Sequence, residues 1–224
     1  MKDIVNDNLA FAVLTLAVIG TVMVPIPSFA SPNCVGIVVT IVGTGGDDML
    51  IGTSDDDVIV GYDGNDRIEG QGGFDVICGG DSDDELFDGD EDDLIISGIG
   101  NDIISGDNDN DNLRGMVGND RIYGGPGNDG INSHEGKDGL FGGDGQDTLR
   151  GRPGNDFIMD NTDNDGLYGN NDDDRLFGGT TFDFLRGGPG KDYLDGGLGD
   201  DALDGSEGID KCIETSLPSI NCEL

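Results

Sequence analysis

The chain has no tryptophan, one histidine and only 11 lysines and arginines against 47 aspartates and glutamates, a formal net charge of −36 over 224 residues. That shortage of positive charge excludes the partners that demand it, since a nucleic-acid backbone or an anionic membrane surface would repel such a protein. Apolar residues make up 34% of the chain, and 42 glycines raise the entropic cost of ordering it, so the composition approaches that of acidic disordered segments. A compact bare chain of this charge repels itself, and something cationic has to accompany the folded state. The lone histidine, His134, falls in a turn of the glycine-rich region and reads as an exposed loop residue rather than a catalyst.

What is present is a period. From Gly43 through Ile213 a nine-residue unit recurs nineteen times without insertion or deletion, and residues 124–132, GGPGNDGIN, show it plainly. Position 6 is aspartate in every copy: Asp48, Asp57, Asp66, Asp75, Asp84, Asp93, Asp102, Asp111, Asp120, Asp129, Asp138, Asp147, Asp156, Asp165, Asp174, Asp183, Asp192, Asp201 and Asp210. Position 8 is Ile or Leu in eighteen copies, from Leu50 to Leu203, and Cys212 in the last. Position 4 is glycine in twelve copies and is replaced by Asp55, Ser82, Glu91, Asp109, Asp163, Asp172 or Thr181 in the others. Aspartate tolerates a left-handed backbone better than most residues and β-branched threonine does not, so the turn over residues 178–183 is expected to be the poorest.

The unit resembles G-G-x-G-x-D-x-U-x, the nonapeptide of the RTX, or haemolysin-type, calcium-binding proteins, over about three quarters of the chain. The resemblance implies an all-β fold, a parallel β-roll with two repeats, or 18 residues, per coil. Six turn residues alternate with three strand residues, and two short sheets face each other across the position-8 column. It also implies multiple calcium ions, held between the turns of repeats k and k+2 by inward carbonyls and the position-6 aspartates, an oxygen-rich set suited to calcium. Nineteen turns allow at most seventeen such pairs. One inward apolar residue in nine makes a thin interior, so folding is expected to be coupled to calcium binding.

Other motifs are absorbed by the same frame. Residues 161–172 mimic an EF-hand loop, yet Asp172 stands where glutamate closes such loops, and flanking helices are not expected among so many Gly and Asp. Gly136-Lys137 is followed by Asp138, not by the Ser or Thr of a phosphate loop.

Outside the array, residues 1–30 read as a secretory leader, with Lys2, an apolar run and Ser-Phe-Ala before Ser31; an uncleaved anchor over residues 9–26 is the other reading. The leader is Sec-like, whereas RTX toxins and proteases usually carry a C-terminal export signal. Residues 31–42 form an N-terminal cap strand, with Ile41 in the apolar position and Val39 in place of aspartate, residues 43–213 the array, and residues 214–224 a C-terminal cap. Four cysteines in an exported chain suggest two disulfides, Cys34 with Cys78 and Cys212 with Cys222.

Positions 7 and 9 flank the buried residue and point outward. On the sheet of odd repeats, position 9 reads Phe87, Ser105, Tyr123, Phe141, Met159, Phe177, an apolar stripe; on the even sheet it reads Arg114, Asn132, Arg150, Tyr168, Arg186. Such columns stabilise strands by neighbour stacking, and the stripe of Tyr123, Phe141, Met159 and Phe177 is also a candidate face for a glycan or another protein. The expectation is a secreted calcium-binding repeat protein, extracellular or at the cell surface, structural or adhesive, with no catalysis, no nucleic-acid partner and no membrane span once the leader is removed. The alternative is a non-catalytic polysaccharide-binding module.

Overall fold

The computed structural model describes residues 38–213 and residue 222, so the leader, Cys34 and most of both cap segments lie outside the described residues. Twenty strands, numbered in chain order from β1 (Ile41–Val42) to β20 (Lys211–Ile213), and no helix are found among them. The odd-numbered strands form one ten-stranded sheet and the even-numbered strands the other. Neighbours in each sheet are parallel and 18 residues apart, as in Ile41↔Ile59, Ile131↔Leu149 and Leu194↔Cys212. The described residues form a parallel β-roll of two repeats per coil, as the resemblance implies.

The strands are longer than the expected three residues. Most span six, as β10 (Arg121–Pro126) and β12 (Gly139–Asp144) do, running from position 7 to position 3 of the next repeat. Strand alternation explains this: position 6, position 8 and the following position 1 all point inward, and the ladder continues through position 1 whether it is glycine or, as in β6 (Glu85–Asp90) and β7 (Leu94–Ile99), Asp88 or Ser97. His134 accordingly belongs to a strand, β11 (Gly130–Glu135), and not to a loop; it sits at position 2 with φ 74°.

The chain bends at positions 2 and 4. Where position 4 carries a glycine with positive φ, the angle lies between 98° and 159°; at Ser82, Glu91, Asp109, Asp163, Asp172 and Thr181 it lies between 72° and 92°. Glycine is needed for the wider angles: a Cβ on Gly118 would lie 1.4 Å from the carbonyl oxygen of Gly100. Thr181 keeps the bend by taking the narrower angle, φ 76°, and its hydroxyl donates to the Asp163 carbonyl. The turn that threonine was expected to spoil therefore takes the same path as its neighbours.

The core is a single file of position-8 side chains from Leu50 to Leu203, with Ile41 packed on one end and Cys212, disulfide-bonded to Cys222, on the other. A second, smaller cluster departs from expectation. Val60, Cys78 and Ile96 occupy position 9 of even repeats, on the outward face, yet are no more than 4% exposed and lie among Val39, Tyr62, Val76, Leu94 and Met116. Cys78 is disulfide-bonded.

Candidate metal centre

Each turn brings its position-6 aspartate inward, and from Asp57 to Asp210 these residues are among the most deeply buried polar groups described, while Asp48 at the first turn is half-buried. The strand phase forces this, because position 6 lies two residues before the buried Ile or Leu and shares its side of the sheet. One carboxylate oxygen is used by the fold. The amide N–H of Asp66 donates to Oδ1 of Asp84 at 2.8 Å, that of Asp84 to Asp102 at 2.9 Å, and the pattern repeats along both edges of the roll as far as Asp192 to Asp210 at 2.9 Å. The outer rim has its own ladder, as where the amide N–H of Asn119 donates to Oδ1 of Asn101 at 3.0 Å.

The other oxygen is left over. From Asp66 to Asp192, Oδ2 at position 6 is buried without a hydrogen-bond partner. A buried unsatisfied carboxylate oxygen is costly, and here the cost recurs coil after coil. The first two repeats differ: Oδ2 of Asp48 accepts from the hydroxyl and amide of Thr44, and Oδ2 of Asp57 from those of Thr53. Those two carboxylates thus have protein donors that the later ones lack.

The oxygens converge. A Cβ placed on Gly124 would fall 2.3 Å from Oδ2 of Asp129 and 2.6 Å from the carbonyl oxygen of Gly142, one coil further on. The glycine thus leaves open a cradle lined by a carboxylate and a carbonyl from adjacent rungs, and oxygen donors of both kinds are what calcium accepts. The residues present fit that ion.

Electrostatics points the same way. Burial, opposed by the backbone hydrogen bond and reinforced by like charges on adjacent rungs, pushes Asp84 and Asp120 up to about 8, Asp174 up to about 9, and Asp147 and Asp156 up to about 7. Asp111 rises to about 9, from burial first and then the charge of Asp88. Carboxylates so placed need a proton or a cation close by. The protein's own cations do not supply it: the salt bridges among the described residues join Arg67 to Glu69 and Glu85, and Arg186 to Asp204, all outside position 6.

Two participants escaped the sequence reading. Asp88 and Asp160 replace the glycine of position 1 and are buried beside position-6 aspartates, giving the groups Asp88, Asp93, Asp111 and Asp147, Asp160, Asp165. The signal was a departure from glycine inside the frame. The aromatic stripe is also broader than position 9 alone, because Phe157 and Tyr193, both at position 7, join Tyr123, Phe141 and Phe177 in one ladder of rings.

In comparison with known proteins, the family model for the RTX calcium-binding nonapeptide repeat, four copies to a unit, matches residues 42–77, 79–113, 105–140, 141–176 and 177–212. No curated protein matches the chain.

Proposed function

The chain belongs to the RTX calcium-binding nonapeptide-repeat family, and from that membership we propose a secreted rod whose position-6 aspartates hold calcium, whose folding is coupled to the ion, and whose role is structural or adhesive. RTX repeats bind calcium, and the β-roll they form is a non-catalytic calcium-binding repeat. The observation that carries the assignment of ligands is the file of buried, unpartnered Oδ2 atoms from Asp66 to Asp192. Carbonyls of the stacked turns complete each set.

Residues 1–30 act as the export leader and residues 31–42 and 214–224 as caps on a roll over residues 43–213. Arrival in a calcium-rich exterior then triggers folding, since extracellular calcium modules work at roughly 10⁻⁴–10⁻³ M. Among the described residues no helix is long and apolar enough to cross a membrane.

Calorimetric titration of the calcium-depleted chain tests this. Uptake is expected to approach one ion per stacked pair of turns, with strand circular dichroism rising in step. Saturation at one or two ions would refute the distributed ligand set.

A second reading, a non-catalytic polysaccharide-binding module, is favoured by the ring ladder. Tyr123 and Phe141 stack with centroids 4.9 Å apart, and Phe141, Phe157, Phe177 and Tyr193 follow at spacings of 6.0, 5.3 and 5.6 Å. The Arg175 guanidinium lies over Phe157, Phe177 and Tyr193. Lys211 lies over Tyr193 as well, 4.8 Å from the ring centroid, and an apolar band with two cations at one end is suited to sugar rings, which stack on aromatics. Changing Tyr123, Phe141 and Phe177 together to serine is expected to abolish calcium-dependent retention on a glycan array while leaving the strand spectrum intact. Undiminished retention would leave the ladder a strand-stabilising device alone.

A further inference from the structure

Position 1 is glycine in fifteen of the nineteen repeats. Its four exceptions, Asp88, Ser97, Ser133 and Asp160, are all buried, and they divide by chemistry. The serines, both in odd repeats, are neutralised within the fold: Ser97 donates to the Gly115 carbonyl at 2.6 Å and Ser133 to the Gly151 carbonyl at 2.8 Å. The aspartates, both in even repeats and therefore on the other edge, are not.

In both, Oδ1 accepts the next residue's amide N–H at 2.8 Å, from Gly89 for Asp88 and from Asn161 for Asp160, while Oδ2 is buried with no partner. Asp88 is 0% exposed and Asp160 2%. Around the first stand Asp93 of its own repeat and Asp111 of the next coil. Around the second stand Asp165 of its own repeat and Asp147 of the preceding coil. In each group one oxygen from each of the three carboxylates lies within 4.8 Å of the others. Asp160 reaches the cradle itself, since a Cβ on Gly142 would meet its Oδ2 at 2.3 Å and that of Asp147 at 2.5 Å.

The sheet registers both places. Of the strands between the terminal coils, only β8 (Ile103–Ser105) and β14 (Phe157–Met159) stop after three residues among the described residues. β8 pairs with β6 (Glu85–Asp90), the strand that carries Asp88, and β14 runs directly into Asp160.

We infer that Asp88 and Asp160 turn two of the stacked turn pairs into three-carboxylate calcium sites that fill before the rest of the array. The inference rests on the calcium reading above and adds a ranking to it. An ordinary pair offers two position-6 carboxylates, whereas these offer three within a water-excluded space, and affinity for a hard cation rises with the charge of the ligand set. The two sites lie on one edge three coils apart, from Asp93 and Asp111 to Asp147 and Asp165, at about 4.8 Å per coil, so the first ions to bind would pin the middle of the roll at two points.

Calcium titration of the full chain against a chromophoric chelator tests this. The wild-type chain is expected to show two ions bound at least about tenfold more tightly than the remainder. Asp88→Gly and Asp160→Gly, each restoring the residue usual at that position, should each remove one tight ion, and the double variant both, with later binding retained. Asp88→Asn with Asp160→Asn, which keeps shape and removes charge, should do the same and decides the matter if the glycine variant does not fold. A tight phase that survives in the folded variants, or a normal ion count with no tight phase in the wild type, overturns the inference alone. A wild-type chain that binds no calcium overturns the calcium reading and this inference with it.

Discussion

Removing calcium near neutral pH is expected to erase the strand signal of this protein, and restoring calcium to return it. The expectation follows from what holds the roll together and what does not. Its interior is a single file of Ile and Leu side chains, one per nine residues, wrapped in a backbone with unusually many glycines to immobilise. Against that file run two columns of inward carboxylates, and from Asp66 to Asp192 each has an oxygen buried without a hydrogen-bond partner. The described salt bridges lie elsewhere, among surface residues, and exposed pairs of that kind contribute little. Once the ions leave, ionised carboxylates on successive rungs face one another across low-dielectric space, and the folded state loses the binding free energy that made it accessible.

Circular dichroism of the full chain in excess chelator is the measurement, with the loss exceeding the whole marginal stability of an ordinary domain, roughly 5–15 kcal/mol. Magnesium at the same concentration should not rescue it, because that ion requires tight octahedral geometry and dehydrates reluctantly. A chelated chain with its full strand spectrum would show that the thin core suffices.

Much of this was legible in the sequence, and the reasons are specific. The fixed period of nine with aspartate and Ile or Leu two residues apart gave the coil, its register and the inward file, because alternation leaves those residues only one side of the sheet to share. Strand length was hidden: position 1 reads as part of a turn, yet it keeps its inward place in the strand alternation, and the ladder runs on past it, as through Ser133 to His134. Thr181 looked incompatible with its turn because one left-handed bend was assumed for all copies, whereas at Thr181, as at Ser82, Glu91, Asp109, Asp163 and Asp172, the bend takes a narrower angle than at glycine. Val60, Cys78 and Ile96 share the strand phase of the exposed Arg186 and the half-buried Arg114 and Arg150, so alternation alone could not show that they are buried. The ring ladder was read one column at a time, which separated Phe157 and Tyr193 from the rings they touch. Asp88 and Asp160 are two among 47 acidic residues and stand out only against the glycine expected in their place.

Acid should partly replace calcium. In the folded chain burial holds Asp66, Asp183 and Asp192 up to about 6, Asp93 and Asp165 to about 7, and Asp84 and Asp120 to about 8, while an unfolded chain leaves aspartate near its ordinary 3.9. The folded state therefore binds protons more tightly than the unfolded one. For such groups the stabilisation is complete below the unfolded value and is lost as pH rises through the folded values, from about 6 to about 9. With no metal present, lowering the pH from 8 to 5 is thus expected to stabilise the roll, by up to about 1.4 kcal/mol per pH unit for each aspartate protonated only when folded. Strand signal should appear in calcium-depleted buffer as the pH falls through that window, approached no closer to the isoelectric point, near 4.1, than solubility allows. In calcium the sign reverses, because protons compete for the same oxygens: the calcium concentration at the folding midpoint should rise as pH falls. A metal-free spectrum unchanged between pH 8 and 5, together with a calcium midpoint indifferent to pH, would mean that the inward carboxylates are not the groups on which folding turns.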